Sequence, residues 1–291
     1  MFIIKRTKRF IFHVLQLLYY FLLVREFRIS GIEKGEFRGK KAMVMGNGPS
    51  LRLLLEKYHS GSIEIPHDSF FVNFAPLDDS FFEIKPMHFL LSDYGFSREG
   101  KDNPQIKLMY ERLQNKVDWN LKIYIARYSK EDCQQLVEYS KITNPHINFV
   151  FLYKRYCDDL KVSWRNWLYK TGFFMPVEST VISTAIWTAI LEGYSEIELY
   201  GVDTNQFKDL SVDENNFVYI DDKHFYGNKL SSRVIGDENG EPIKIHVFLG
   251  TIAGMLKSHY ILSQFAEYMG AKIYNCSPGS MIDVYPRKKT I

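Results

Sequence analysis

Cysteine is scarce in this chain: Cys133, Cys157 and Cys276 are scattered through 291 residues, with no Cys-x-x-Cys pair among them. That pattern argues against a disulfide-stapled secreted domain and for a reducing, cytoplasmic compartment. An excess of charge of one sign is missing too. Lys and Arg total 37 against 34 Asp and Glu, and a net charge of +3 is too small to point to nucleic acid. There is no low-complexity tract and no repeat with a period of roughly 20–50 residues, which sets aside solenoids and propellers. Two phosphate-binding signatures are also absent. No glycine loop continues into Gly-Lys-Ser/Thr, and no Gly-x-Gly-x-x-Gly occurs.

What is present in quantity is aromatic: 22 Phe and 19 Tyr bring the aromatic share to 15%. Such enrichment suits a sugar-facing or membrane-facing surface, and equally the core that a chain of this length can bury. The N-terminus has a character of its own. Lys5, Arg6, Lys8 and Arg9 precede the mostly apolar run Phe10–Val24, which falls short of the roughly 20 residues that a membrane span needs. No small-residue cleavage site follows, so the segment reads as an interfacial helix with basic residues on anionic headgroups. Packing on the protein itself or on a partner subunit is the other reading. A polar, glycine-bearing linker (residues 30–40) then leads into the body, and the division is 1–40 and 41–291.

Strand-like runs recur at Ala42–Met45, Phe70–Asn73, His88–Leu91, Leu121–Ile125, Asn148–Leu152, Glu196–Tyr200 and Lys272–Asn275. Helix-like stretches, such as Gln105–Asn115, Lys130–Tyr139 and Ile252–Met269, lie between or beside them. This alternation predicts an α/β fold: a Rossmann-like, mainly parallel sheet with helices on both faces. Residues 179–201 are the clearest unit, an apolar helix capped by Ser179 or Thr180, stopped by Gly193, and feeding a strand directly. Residues 203–245 contrast with it. They are polar, acidic and without clear periodicity, the composition of a lid inserted at about 203–250.

Ligands of open parallel sheets bind outside the carboxyl ends of the strands. Five strand ends here carry short polar residues: Gly46-Asn47-Gly48-Pro49-Ser50, Asn73, Ser92-Asp93, Asp203 with Asn205, and Asn275 followed by Ser277, Gly279 and Ser280. Any one of these is ordinary loop chemistry. Their placement at successive strand ends is the expected lining for a nucleotide or a polyhydroxylated ligand. In the first loop, the backbone N–H groups at the helix start can hold an anion, and Asn47 offers two donors and an acceptor.

"VMGNGPSL" after a strand, "EGYSEIELYGVD" further on and "KIYNCSPGS" near the end together resemble the bacterial lipooligosaccharide sialyltransferases and related surface-polysaccharide proteins. The resemblance runs over about residues 41–285. It implies a single nucleotide-binding domain with a lid, a CMP-sugar donor and no metal cofactor; joined to the N-terminal segment, the reading is transfer to a lipid-linked oligosaccharide acceptor, with the protein peripheral on the inner face of the cytoplasmic membrane. By the same resemblance Asn47, Gly48 and Ser50 hold the nucleotide phosphate and ribose, Asn73 contacts the donor, and Ser277–Ser280 lie by the cytidine. The family's lid tyrosines find Asn205 in the first position here, with Tyr219 or Tyr226 as substitutes.

A proton acceptor is needed for attack by an acceptor hydroxyl, and imidazole suits that work. The candidates are His224, beside Asp221, Asp222 and Tyr226, and His246, in the β-like run Ile245–Val247. A metal-dependent UDP-sugar transferase is the rival enzyme, although Asp203-Thr204-Asn205 supplies one carboxylate where Asp-x-Asp supplies two. A non-catalytic glycan- or nucleotide-binding protein and a pyrophosphokinase-type enzyme complete the alternatives. Trp164 and Trp167, at helical spacing, fit either a plain amphipathic helix or a sugar or membrane contact. Self-association is left open.

Overall fold

The computed structural model describes residues 30–97, 102–222, 231–236 and 240–289, together with Ile11, Val14 and Leu15 of the N-terminal segment. The rest of that segment's expected interfacial helix lies outside the described residues. Seven strands form one sheet: β1 (Lys41–Met45), β2 (Ser69–Val72), β3 (His88–Leu91), β4 (Leu121–Arg127), β5 (Ile147–Tyr153), β6 (Glu196–Tyr200) and β10 (Lys272–Asn275). Their order is β10-β6-β1-β2-β3-β4-β5, and every pairing is parallel. The fold is therefore α/β and Rossmann-like, as the alternation of elements predicts. Strands β2 and β3 are buried along their whole length, which is why each reads as an apolar run behind a first polar residue, Ser69 or His88.

Two cores flank the sheet. One face packs α1 (Leu51–His59), α2 (Ser80–Ile84), α3 (Pro104–Lys116) and α4 (Lys130–Ser140) around Met45, Phe71, Phe89 and Ile123. The opposite face packs α5 (Val162–Thr171), α6 (Val181–Glu192) and α7 (Ile245–Met269) around Val44, Phe70, Leu90 and Leu152. Helix α6 is buried from Ile182 to Glu192, and Gly193 closes it at φ +100°. A Cβ there would stand 2.9 Å from the Cα of Gly35, so glycine is required twice over.

The insertion departs from expectation. Residues 203–245 are not featureless: they contain β7 (Ser211–Val212), β8 (Val218–Asp222) and β9 (Ser231–Val234), which form a small antiparallel sheet. Val218, Ile220 and Ile235 give it a hydrophobic nucleus of its own. Helix α7 also begins at Ile245 rather than Ile252. Once the packed half of a helix exists, each added turn avoids the nucleation cost, so an apolar stretch without a sheet partner continues the helix.

Candidate functional site

The strand order brings together what the sequence shows only in succession. Strands β10, β6, β1, β2 and β3, whose ends carry the polar residues, are five consecutive neighbours in the sheet. From β1 the chain moves outward toward β5; from β6 it leaves toward β10. The switch point therefore lies between β1 and β6, where an open α/β sheet presents its crevice.

At this point the two glycine loops touch. Gly46 N–H donates to Tyr200 O at 2.7 Å, and Gly48 N–H donates to Gly201 O at 2.9 Å. A Cβ on Gly46 would lie 2.4 Å from Gly201 O, and one on Gly48 would lie 2.2 Å from Asp203 Oδ2. These glycines serve backbone approach. Asp203, 4% exposed, accepts the Ser50 N–H at 3.0 Å and so places its own carboxylate at the start of α1. The first N–H of the α1 terminus is thus met from within the chain. Burial raises the Asp203 carboxyl above its ordinary range, against the opposing pull of the Ser50 hydrogen bonds.

The second cluster joins β2 to β3. Asn73, held at φ +48°, donates from its amide to Asp93 Oδ2 at 2.9 Å. Asp93 opens to solvent at the loop edge. Its carboxyl is nonetheless raised by desolvation and by nearby Glu178, while Lys154, Arg127 and the Asn73 hydrogen bond pull it down. Ser92 is buried, and its carbonyl accepts from Arg127 Nη1 at 2.6 Å and from Lys154 Nζ at 3.2 Å. Arg127 Nη2 also donates to Asp93 O at 2.7 Å. Lys154 forms an ion pair with Glu178 at 2.5 Å.

No motif or spacing in the sequence singles out Arg127, Lys154 or Glu178. They lie at the ends of β4 and β5 and just ahead of α6, and each is an ordinary charged residue until the sheet brings them together. The aromatic neighbours went unnoticed for the same reason. Tyr94 and Tyr128 stack with centroids 6.3 Å apart, Tyr156 meets Tyr128 edge-on, and the Arg127 guanidinium sits 4.9 Å from the Tyr94 ring.

Several buried polar oxygens at this edge have no partner: Asn47 Oδ1, Asn73 Oδ1, Thr180 Oγ1 and Asp203 Oδ1. Asn47 uses its amide nitrogen on Val72 O at 3.2 Å, leaving the oxygen. Unsatisfied buried polar atoms are uncommon and call for an explanation. Thr180 occupies the N-cap position of α6 without making a side-chain cap bond. Since α6 runs back to the start of β6, its N-terminus lies at the carboxyl edge of the sheet. Unlike the start of α1, this one has no carboxylate bonded to its first N–H groups among the described contacts, while the Glu178 carboxylate accepts from the Thr184 hydroxyl in its first turn. Beside it a cavity of about 290 Å³ is lined by Tyr156, Asp158, Val177, Ser179, Gly254 and Lys257.

The remaining predicted residues separate. Ser277 and Ser280 are buried and bonded internally. Ser277 Oγ donates to Leu199 O and accepts from Val202 N–H, while Ser280 Oγ donates to Val202 O and accepts from Asn275 Nδ2. With exposed Gly279 they staple the β10 turn to the β6 loop. Asn205, half-buried, follows Thr204 at φ +46°. His246 stands exposed on the first turn of α7, not in a strand. His224 and Tyr226 lie outside the described residues. Among the described residues, no three His, Cys, Asp or Glu gather as metal ligands.

No family model matches the chain, and no curated protein does. Solved structures are similar in outline, one of them the MAf glycosyltransferase from Magnetospirillum magneticum AMB-1, at 13% identity and a TM-score of 0.48, over 91% of this chain and 36% of that one. The chain thus spans little more than a third of that protein's length. A likeness at this level is no argument about activity, which has to rest on the site.

Proposed function

We propose that the protein is a glycosyltransferase that uses a nucleotide-sugar donor, sialyltransferase-like in its choice of a CMP-sugar. The observation that carries this reading is the row of unpartnered buried oxygens, of Asn47, Asn73, Thr180 and Asp203, around one sheet edge. A nucleotide and a sugar present many hydroxyl and amino donors, which such acceptors would satisfy. In this reading the donor phosphate sits at the open N-terminus of α6 with the Thr180 hydroxyl, where helix N–H groups favour an anion. The sugar packs on the Tyr94–Tyr128 face, and the acceptor glycan enters by the cavity next to Ser179. Asp93 takes the proton from the attacking hydroxyl; its raised carboxyl and its tie to Asn73 suit a base. His224 is the alternative base. The acceptor is a lipid-linked glycan, and the enzyme works on the cytoplasmic face of the membrane without a resident metal.

Thermal-shift titration with CMP, UDP and GDP, each with and without Mn²⁺, tests the reading. CMP is expected to raise the melting temperature with or without metal. No response to any nucleotide would overturn the transferase reading. A response to UDP only in the presence of Mn²⁺ would replace it with the metal-dependent one.

A further inference from the structure

Helices α5 and α7 lie on the same face of the sheet, and both leave apolar side chains in water. On α5, Trp164 is 60% exposed and Trp167 52%, their rings meeting edge-on, with Val162 exposed one turn before. Helix α7 divides in two. Its C-terminal half is core: His259, Leu262 and Phe265 are buried, and Gln264 accepts from Arg165 of α5 at 2.6 Å. Its first turns are mostly open, with Ile245, Val247 and Leu249 all exposed, while Phe248 packs on the small antiparallel sheet and Ile252 is buried. This helix is long and apolar enough to cross a membrane. A crossing would, however, tear its packed half from α6 and β10.

Charge narrows the occupant. Lys161 and Lys170 flank or end α5, and Lys244 and Lys257 flank or lie on the exposed half of α7; all four are exposed. Neither helix carries an acidic residue before Glu267. Exposed Asp159 and Glu241 stand ahead of the two helices, but along the helices themselves exposed tryptophan and lysine stand without acid, the chemistry of an anionic lipid interface. The chain's own start points the same way. Ser30 donates its N–H to Gly172 O at 3.1 Å, and Gly172 caps α5. The basic and apolar segment that ends at residue 29 therefore joins the body at the end of the tryptophan helix.

We propose that the α5–α7 face is a docking surface for an anionic lipid bilayer, with Trp164 and Trp167 inserted at headgroup level and the first turns of α7 resting on the membrane. This extends the peripheral-membrane reading from the N-terminal segment to the folded body. Vesicle binding is measured without nucleotide, so its failure and failure of the transferase reading are separate results.

The test uses the full chain with phosphatidylcholine vesicles, with and without phosphatidylglycerol, in sedimentation and fluorescence assays. Binding is expected with phosphatidylglycerol and to weaken with salt. Brominated lipid should quench wild-type tryptophan fluorescence, and the W164F/W167F variant should lose that quenching. The W164A/W167A variant should melt like the wild type yet partition about tenfold more weakly. Equal partitioning of wild type and W164A/W167A, or quenching that survives in W164F/W167F, overturns the proposal. So does a concentration-dependent dimer in lipid-free solution that W164A/W167A abolishes, which would make this face a self-association surface.

Discussion

Asp93 is set apart from the other carboxylates at the sheet edge by its partners. Asp203 is buried and committed to Ser50, and Glu178 is committed to Lys154 and Thr184. Asp93 has a single side-chain bond, from Asn73, while Arg127 and Lys154 fix its loop through the backbone carbonyls of Ser92 and Asp93. It is held in place yet open to substrate. Asp93→Asn keeps the shape and removes the proton acceptor. Turnover should fall by a factor of roughly 10²–10⁴ while the melting temperature stays near the wild-type value. Equal turnover in Asp93→Asn, together with loss in a His224→Ala variant, would transfer the base role to His224.

Glycine decides the matter at the level of the loops. The β1–α1 and β6–β7 connections pass so close at the switch point that Gly46 and Gly201 each leave no room for a Cβ against the other's carbonyl. Gly48 stands against the Asp203 carboxylate. Gly48→Ala must push Asp203 away from the start of α1, which breaks the Ser50 N–H bond and parts the loops. We expect a loss of roughly 2–4 kcal/mol of stability in denaturant unfolding, the scale of overpacking plus an unpaired buried group. The tight spelling Gly-Asn-Gly-Pro-Ser was readable in the sequence as a demanding turn. Its partner was not, since Asp203 is 153 residues away from Ser50 and only the sheet order makes them neighbours.

Stability of the whole molecule carries a pH signature from the opposite end of the sheet. His88 bonds to the Tyr124 and Tyr194 hydroxyls at 2.9 Å each, and Tyr124 in turn donates to Glu192. Burial pushes the Glu192 carboxyl from its ordinary 4.5 up to about 8, with Tyr124 and Lys122 opposing. A group raised in the folded state gives its full contribution below the unfolded value and loses it as pH rises through the folded one. Stability should therefore decline between about 4.5 and about 8 on account of Glu192. His88, lowered by burial, acts with the opposite sign, its contribution being lost as pH falls. Comparing Glu192→Gln with wild type isolates the first effect. The variant should gain on wild type between about pH 5 and about pH 9, by a few kcal/mol at most, in melting curves taken across that range. Parallel curves would show that Glu192 does not titrate in this window.

Periodicity alone determined the elements: the apolar strands, the buried helix α6 with its Gly193 stop, and the alternation that makes a parallel sheet. These are local, because side-chain spacing and glycine conformation act within a few residues. It also marked the first loop as a place of close approach. Only the tertiary structure decided what that closeness is for. The strand order put Asp203 at the start of α1, turned Ser277 and Ser280 inward, and left the Thr180 hydroxyl at the start of α6 without a partner. It also gathered Arg127, Lys154 and Glu178 beside Asp93. Those choices depend on contacts between residues far apart in the chain, and no spacing along the sequence encodes which strand end will face which.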